Sequence, residues 1–516
     1  MSRSMGTGMA ILDFDGDGRL DLYFLQNGGP GSGAKNELWR QEKDGRFQDV
    51  SKGSGLDVEG FGMGSAVGDI DNDGRVDMAV TEYGNIRLFH NEGEGRFREV
   101  TDEAGLHRVL WGMSCAFLDY DRDGRLDFVS VNYVEDDPTR PCSDYAGKRD
   151  FCGPQDFLGN VTKLYHNETA PGGPIRFVDV TGVSGLGKIV GPGLGVSCLD
   201  FDGDGWVDIL VANDGKPNHL WINQRDGRFQ DEGVLRGLAY DGLGRSQAGM
   251  GIALGDVAGR GNLGIFMTHL SEETNCFWSR LADKSAFVDE TASMRLANPR
   301  WRATGFGTVL GDMDLDGDLD LAIVNGRVRR GAVDATLGGT GAGLDPFWHP
   351  YAERSQLFEN GGEGVFTDVS ENNTAFSGEA RVARALAMGD LDNDGDLDLV
   401  STAIGSPARV YRNVAPRRGR WLSVRAVDPA TKRDAHDGQV TVRAAGRAWI
   451  RWLNPAYSYL CSNDPRVHFG LGRVERVDEI ELEWPDGTRE LFRGSEVDRA
   501  IVVEKGQGRA VSSPNP

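Results

Sequence analysis

An all-β chain, a seven-bladed β-propeller followed by a small β-domain, is predicted by three observations in the 516-residue sequence. A nine-residue pattern, D-x-D-x-D-G-x-x-D, occurs six times, and a seventh copy at Asp256–Gly264 keeps only its first carboxylate. The loops begin at residues 13, 69, 119, 200, 256, 312 and 390, so the repeat is 50 to 56 residues long with two longer intervals. Each unit also carries the same run of short, β-branched and aromatic segments closed by Gly turns, which indicates four strands per unit. One such blade cannot bury its own faces, whereas a ring of them can.

The six intact loops place carboxylates at positions 1, 3, 5 and 9. They are Asp13, Asp15, Asp17 and Asp21; Asp69, Asp71, Asp73 and Asp77; Asp119, Asp121, Asp123 and Asp127. The later three are Asp200, Asp202, Asp204 and Asp208; Asp312, Asp314, Asp316 and Asp320; Asp390, Asp392, Asp394 and Asp398. Ca²⁺ takes six to eight oxygen ligands at flexible geometry, and the Gly at position 6 permits the sharp turn that lets these carboxylates converge. An EF-hand is excluded, because its acidic position 12 is here Phe24, Val80, Ser130, Val211, Ile323 or Ser401. Asp and Gly are turn formers in any case, but four Asp at fixed positions in six copies specify ligands. About six structural Ca²⁺ ions are expected. The blade-five copy has Ala258, Arg260 and Gly264 at positions 3, 5 and 9; it is expected to bind no metal, with the Arg260 guanidinium paired to Asp256.

Within each unit one strand enters the metal loop and a second leaves it, as in Gly8–Leu12 and Leu20–Leu25. The third and fourth strands recur as Asn36–Trp39 with Gly45–Val50, and as Lys163–Tyr165 with Arg176–Val180. The two long intervals mark insertions after the second strand of blades three and six, roughly 132–161 and 325–355. Insertions of that length without strands of their own are usually functional or disordered. Propeller geometry puts both on the face opposite the metal loops. No fourth strand follows Ala408–Asn413, so a three-stranded blade closes the ring or Trp421–Ala426 fills the gap. The repeat stops near Ala415–Arg420, giving a propeller at 1–415 and a second domain at 416–516, whose segments alternate apolar and polar.

The net charge of −23 opposes nucleic-acid binding, but six Ca²⁺ would return 12 charges and leave −11. No apolar run of about 18 residues is present to span a membrane. No secretory signal precedes the first loop, so the chain reads as cytoplasmic, or extracellular if a leader has been removed. Six Cys do not make a disulfide scaffold; Cys142 and Cys152 share one loop and are candidates to pair. No HExxH, CxxC pair, P-loop or dinucleotide fingerprint occurs, and Gly338–Gly343 has neither a Lys nor a following helix.

The repeats resemble the FG-GAP/VCBS repeats of integrin-like propellers. After residue 415, Tyr459-Leu-Cys-Ser-Asn-Asp-Pro-Arg-Val-His-Phe-Gly-Leu-Gly472 followed by Trp484-Pro-Asp-Gly487 resembles the ASPIC/UnbV domain. With Cys152-Gly153-Pro154, Asn213-Asp214 and Asn325-Gly326-Arg327, the whole chain is similar to the cartilage acidic protein family. The resemblance implies a Ca²⁺-binding propeller with a C-terminal β-domain. Members of that family are often exported; others, of the UnbV type, accompany enediyne and related natural-product pathways. Cys461-Ser462 departs from the family's usual Ser-Ser.

Any functional site is expected on the insertion face. Loops between second and third strands bring Tyr133, Asp214, Lys216, His269, Glu272, Glu273, Arg327 and His349 there; the turns between blades add Trp111, Arg245, Gln247, Trp301, Arg302 and Arg384. Carboxylate, imidazole, guanidinium and indole groups around an apolar mouth suit a small-molecule pocket. As an enzyme without redox cofactor, the face would use Asp214, Glu272 or His269 as base, with Arg327 or His349 stabilising an oxyanion and Tyr133 beside them. Alkylation or epoxide opening on a natural-product scaffold fits such groups and the family association. The alternative is a secreted calcium-binding protein that holds a protein or glycan without catalysis. His90, His107 and His166 show no partner in the sequence, and His468 reads as structural.

Overall fold

The computed structural model describes residues 2–106, 110–144, 146–331 and 344–511. Blades one to six each carry a four-stranded antiparallel meander, as in Met9–Leu12, Asp21–Phe24, Glu37–Gln41 and Phe47–Asp49 of blade one. Blade seven has three strands, Ala383–Gly389, Asp398–Ala403 and Ser406–Tyr411. Trp421–Ala426 does not complete it: those residues lie in strand Arg420–Asp428 of the second domain.

Strand alternation makes the ring. Successive side chains point to opposite faces of a strand. Along the inner strand of blade one, Met9 and Ile11 therefore pack on Ala385 and Val400 of blade seven, while Ala10 and Leu12 pack on Met78 and Val80 of blade two. The same sharing forms one apolar core between every consecutive pair of blades. Near the axis the inner strands crowd. A Cβ on Gly195 would stand 2.2 Å from the Met250 carbonyl, and one on Gly251 would stand 2.1 Å from that of Phe306.

The second domain packs an open sheet, in which Arg420–Asp428 pairs with Val467–Gly472 and with Arg499–Glu504, against a five-stranded sheet around Trp449, Phe469, Ile480 and Trp484. It sits on the metal-loop face. Trp449 Nε1 donates to the Gly317 carbonyl (3.0 Å) and Arg466 Nη2 to that of Asp390 (2.9 Å). From there a finger, residues 454–464, enters the central channel. Asn454 Nδ2 donates to Ser197 Oγ (2.8 Å) of blade four, Ser458 exchanges backbone bonds with Ile252 of blade five, and its Oγ accepts from Thr308 N (3.0 Å) of blade six. Leu460 N donates to Ser114 Oγ (3.3 Å) of blade three, and Asn463 Oδ1 accepts from Met388 N (3.1 Å) of blade seven. Cys461–Ser462 adds a parallel strand to Met9–Ala10 of blade one. Ser458 and Leu460 adopt left-handed backbone (φ 76° and 60°) to follow this path. Among the described residues no helix is long and apolar enough to cross a membrane.

Candidate functional site

In each intact loop the position-1 carboxylate is built into the turn. Asp13 accepts from Asp17 N (3.0 Å) and Gly18 N (2.9 Å), Asp69 from Asp73 N (3.1 Å) and Gly74 N (2.7 Å), and Asp312 from Asp316 N (3.1 Å) and Gly317 N (2.8 Å). The position-9 carboxylate bridges outward: Asp77 accepts from Ile70 N (3.0 Å) and Asn91 N (2.8 Å), and Asp208 from Phe201 N (2.9 Å) and Asn223 N (2.8 Å). Ligand oxygens of Asp69, Asp71 and Asp77 lie within 4.8 Å of one another, as do those of Asp13, Asp15 and Asp17. Burial pushes Asp21, Asp69, Asp312, Asp390 and Asp398 up to about 7. Buried oxygens Asp119 Oδ1, Asp390 Oδ1 and Asp392 Oδ1 have no hydrogen-bond partner. Crowded, buried carboxylates with unpaired oxygens are costly unless a cation joins them. The donor set fits Ca²⁺.

A third-strand amide then ties each loop to the next blade. Asn91 Nδ2 reaches the Phe14 carbonyl (2.9 Å), Asn167 that of Ile70 (2.8 Å) and Asn223 that of Tyr120 (2.8 Å). Asn360 reaches Val257 (2.9 Å), Asn413 reaches Met313 (2.7 Å), and Gln41 closes the circle on Leu391 (2.8 Å). Blade five substitutes Arg280, whose Nη1 reaches Phe201 (3.3 Å). The Arg260–Asp256 pair does not form: Asp256 is satisfied by the backbone N–H of Arg260 (3.1 Å) and Gly261 (2.7 Å). Nor are the loop histidines unpartnered. His90 Nδ1 lies 3.1 Å from Asp77 and His166 Nδ1 3.0 Å from Asp127, because the third strand runs beside the metal loop. His107 and Gly338–Gly343 lie outside the described residues.

On the opposite face the two insertions meet over the axis. Phe151 stacks on Trp348 (6.0 Å, 9°), the Tyr351 hydroxyl donates to Asp150 (2.5 Å), and Arg330 N donates to the same carboxylate (2.9 Å). Cys142 and Cys152 are disulfide-bonded within the blade-three insertion. Beneath this bridge the channel is filled by Met5, Met63, Trp111, Tyr133, Phe306, Tyr459 and Leu460, with half-buried Tyr83, Phe157, Leu270 and Val328 around them. The apolar mouth thus has a solid floor, whose centre is the tip of the finger.

Tyr133 and Asp214 are brought together there. Each follows directly on the second strand of its blade, and the Tyr133 hydroxyl donates to Asp214 Oδ2 at 2.5 Å. Burial pushes the Asp214 carboxyl up to about 6; Glu273 raises it further, against the Tyr133 hydrogen bond and Arg329. Trp111 packs edge-on against Tyr133 (5.1 Å) and against Tyr83 (5.0 Å). The remaining predicted groups are held elsewhere. His269 is buried against Trp278 (6.4 Å), and burial lowers its imidazole to about 3. Arg327 Nε pairs with buried Glu353 (2.8 Å), the His349 Nε2 faces the Leu344 carbonyl (3.1 Å), and Glu272 is exposed. Arg384 is fully enclosed, donating to carbonyls of Ser4, Gly326 and Arg327.

FG-GAP-like repeats match residues 13–80, 69–130, 200–267 and 344–401, and the ASPIC and UnbV family matches residues 428–510. The chain belongs to the FG-GAP-repeat, ASPIC/UnbV-domain family. Its FG-GAP repeats are the blades, and its ASPIC/UnbV domain is the unit that caps the metal loops and supplies the finger. Cartilage acidic protein 1 of Xenopus tropicalis is 26% identical over 333 residues, 62% of this chain and 46% of the relative. The Homo sapiens protein of that name is 25% identical over 320 residues, 61% of this chain and 44% of its own. The matches thus span less than half the length of these relatives. Among solved structures, an Agrocybe aegerita lectin that recognises non-reducing terminal N-acetylglucosamine aligns at TM-score 0.40 with 15% identity, covering 74% of this chain and 88% of the lectin. BBS1N in complex with ARL6DN aligns at TM-score 0.42 with 10% identity, covering 79% and 93%.

Sequence reasoning missed Glu353 as the partner of Arg327 and Tyr459 as the floor. Glu353 lies at the end of the blade-six insertion, where no repeat position announces it. The Tyr459 segment was visible as an ASPIC/UnbV motif, but nothing in its spacing says that it enters the FG-GAP ring.

Proposed function

We propose that the chain is a calcium-stabilised propeller that binds a small organic molecule on its insertion face and moves a proton there without a redox cofactor. The observation that carries this reading is the Tyr133–Asp214 pair, 2.5 Å apart under the bridged insertions, with a carboxyl raised to about 6. A carboxylate near that value both holds and releases a proton close to neutrality. In an intramolecular alkylation, Asp214 takes the proton of a phenol, the phenolate oxygen attacks an epoxide carbon, and the C–O bond opens to an alkoxide. The Tyr133 hydroxyl is placed to reprotonate that alkoxide and to recover its own proton from Asp214 across their hydrogen bond, and Arg329, which acts electrostatically on Asp214, favours the negative charge. Bound Ca²⁺ would hold the loops on the far face and take no part in the proton transfer.

The test uses phenols carrying a pendant epoxide. Ligand density beneath the bridge within hydrogen-bond reach of Asp214, and ring opening that falls at least ~100-fold in Asp214→Asn, support the reading. Ligand absent from this face, with ring opening unchanged in Asp214→Asn, overturns it. A second reading, an exported calcium-binding protein that holds a protein or glycan, is favoured by the Cys142–Cys152 bridge, since disulfides persist in oxidising compartments. Counting thiols in protein purified without reductant bears on it: six free thiols argue for the cytoplasmic enzyme.

A further inference from the structure

Blade seven is one strand short, and the other six blades show what that strand looks like. Each of them closes on Phe-x-Asp/Glu: Phe47 with Asp49, Phe97 with Glu99, Phe177 with Asp179, Phe229 with Asp231, Phe287 with Asp289 and Phe366 with Asp368. In five of them a Ser or Thr follows two residues later, and its hydroxyl accepts from one third-strand N–H. Leu88 N donates to Thr101 Oγ1 (3.0 Å) and Leu357 N to Ser370 Oγ (3.0 Å); Leu38, Leu164 and Phe277 do the same. The carbonyl of that third-strand residue accepts from the fourth-strand backbone, as Leu88 does from Val100 N (2.8 Å). In blade seven the equivalent residue is Val410, which stands opposite Val400 as Leu88 stands opposite Ala79. Its N–H and C=O therefore point outward, where they meet no partner among the described residues, and Val410 is 45% exposed. Strand Ser406–Tyr411 has no buried residue, whereas the third strand of blade four, His219–Asn223, is buried throughout.

The groove that a fourth-strand Phe fills is open as well. Phe97 shares a core with Leu38 and Phe14 of the preceding blade, Phe177 with Leu88 and Ile70, and Phe366 with Phe277 and Val257. Those six wall residues are all buried. Their counterparts in blade six, Leu357 and Met313, line the six–seven core and are only half-buried. Charge marks the same vacancy. In blade two Arg87, opposite Val80, pairs with the fourth-strand acid Glu99 (2.9 Å), and in blade three Lys163, opposite Ser130, pairs with Asp179 (2.7 Å). Arg409 holds that position in blade seven, opposite Ser401, and with no fourth-strand acid beside it pairs with Glu379.

We propose that an extended segment of a partner protein completes blade seven, adding a strand antiparallel to Ser406–Tyr411 and carrying Phe-x-Asp/Glu-x-Ser/Thr. The Phe enters the groove beside Leu357 and Met313, the acid pairs with Arg409, and the Ser or Thr hydroxyl accepts from Val410 N–H. Main-chain hydrogen bonds give affinity in this mode of recognition, and pockets for alternate side chains give specificity. A second copy of the chain does not supply the segment. Its six strands of this pattern are already built into their own blades, with Phe97, Phe177, Phe229, Phe287 and Phe366 buried there. The site does not depend on the reading of the insertion face.

The test is titration of the full chain, in Ca²⁺-containing buffer, with a fluorescent peptide of residues 95–101, Gly-Arg-Phe-Arg-Glu-Val-Thr, which copies the fourth strand of blade two. Saturable one-to-one binding is expected, with slower hydrogen exchange at the Val410 amide. Phe97→Ala in the peptide should weaken binding about tenfold or more, the effect of losing a buried aromatic side chain. Arg409→Glu in the protein should weaken the original peptide about threefold, as for a partly exposed ion pair, and a peptide with Glu99→Lys should bind that variant better than it binds the wild type. If Arg409→Glu does not fold, the peptide variants and the Val410 amide still decide the matter. The proposal is overturned if no peptide binds saturably, if a scrambled peptide or Phe97→Ala binds as well as the original, if the Val410 amide is unaffected, or if reversing both charges recovers nothing. Protection of Val410 that grows with protein concentration in the absence of peptide also overturns it, by giving the position to a second copy.

Discussion

Arg384 shows why residue type alone does not identify a ligand-binding group. Its guanidinium lies 4.0 Å over the Phe306 ring and donates to four backbone carbonyls, so no N–H faces the cleft for an anion. Replacing it by Met strands those acceptors in a dry core; Arg384→Met should lower stability by at least ~3 kcal/mol in denaturant titrations. His269 makes a related point about protonation. Its folded value near 3 is below the ordinary 6.5, so the unfolded chain binds the extra proton. The contribution is full above pH 6.5 and is lost as pH falls, reaching about 2 kcal/mol at pH 5. Melting temperature should therefore decline below pH 6.5, and His269→Gln should decline less steeply over the same range. A parallel slope in both proteins would remove His269 from this account. Asp214 has the opposite sign: its raised carboxyl favours the fold below the ordinary carboxylate value and loses that advantage as pH rises through 6.

At the scale of elements, the Asp-rich loops, blade order and both insertions were legible, because strand alternation recurs in every blade and the Asp spacing in six of the seven. The inter-blade circle was not. Asn91, Asn167, Asn223, Asn360 and Asn413 recur at one position of the third strand, yet their acceptors belong to the preceding blade, which only the closed ring brings near. Of the candidate site, Tyr133 and Asp214 were legible from their places at strand ends. The insulation of His269 and Arg327 was not, since Trp278 and Glu353 meet them through folding. The finger makes the largest demand. Tyr459 is completely buried and its hydroxyl donates to the Met5 carbonyl (3.2 Å). Tyr459→Ala should cost about 3–5 kcal/mol, the range for losing a buried aromatic ring, and should loosen amide exchange in several inner strands at once. Protection lost in one blade only would contradict the shared role of the finger. Reducing the Cys142–Cys152 bridge should instead act locally: closing so short a loop is worth about 2–3 kcal/mol in the chain-entropy model, read as faster proteolysis of the blade-three insertion with the ring intact.

For the whole molecule, charge and metal are one problem. Six loops of four Asp account for 24 of the 79 acidic residues, and the second domain lays Arg433, Arg447 and Arg466 against that face. A ligand at a hundred times its Kd contributes about 2.7 kcal/mol per site, so several occupied Ca²⁺ sites together would rival the ~5–15 kcal/mol stability of an ordinary domain. Excess EGTA should lower the melting temperature sharply. An unchanged curve in protein shown to be metal-free would refute the assignment.

The finger also bears on the order of events during synthesis. Six of the seven inner strands exchange hydrogen bonds with residues 454–463, which leave the ribosome after every blade has been made. At ~5–20 residues per second, the first blade waits tens of seconds for the segment that fills its axis. A nascent chain halted after strand Ser406–Tyr411 would hold seven blades around a hollow, with Met63, Trp111 and Phe306 open to water. Emergence of residues 454–463 is thus the step that turns a clasp into a sealed ring.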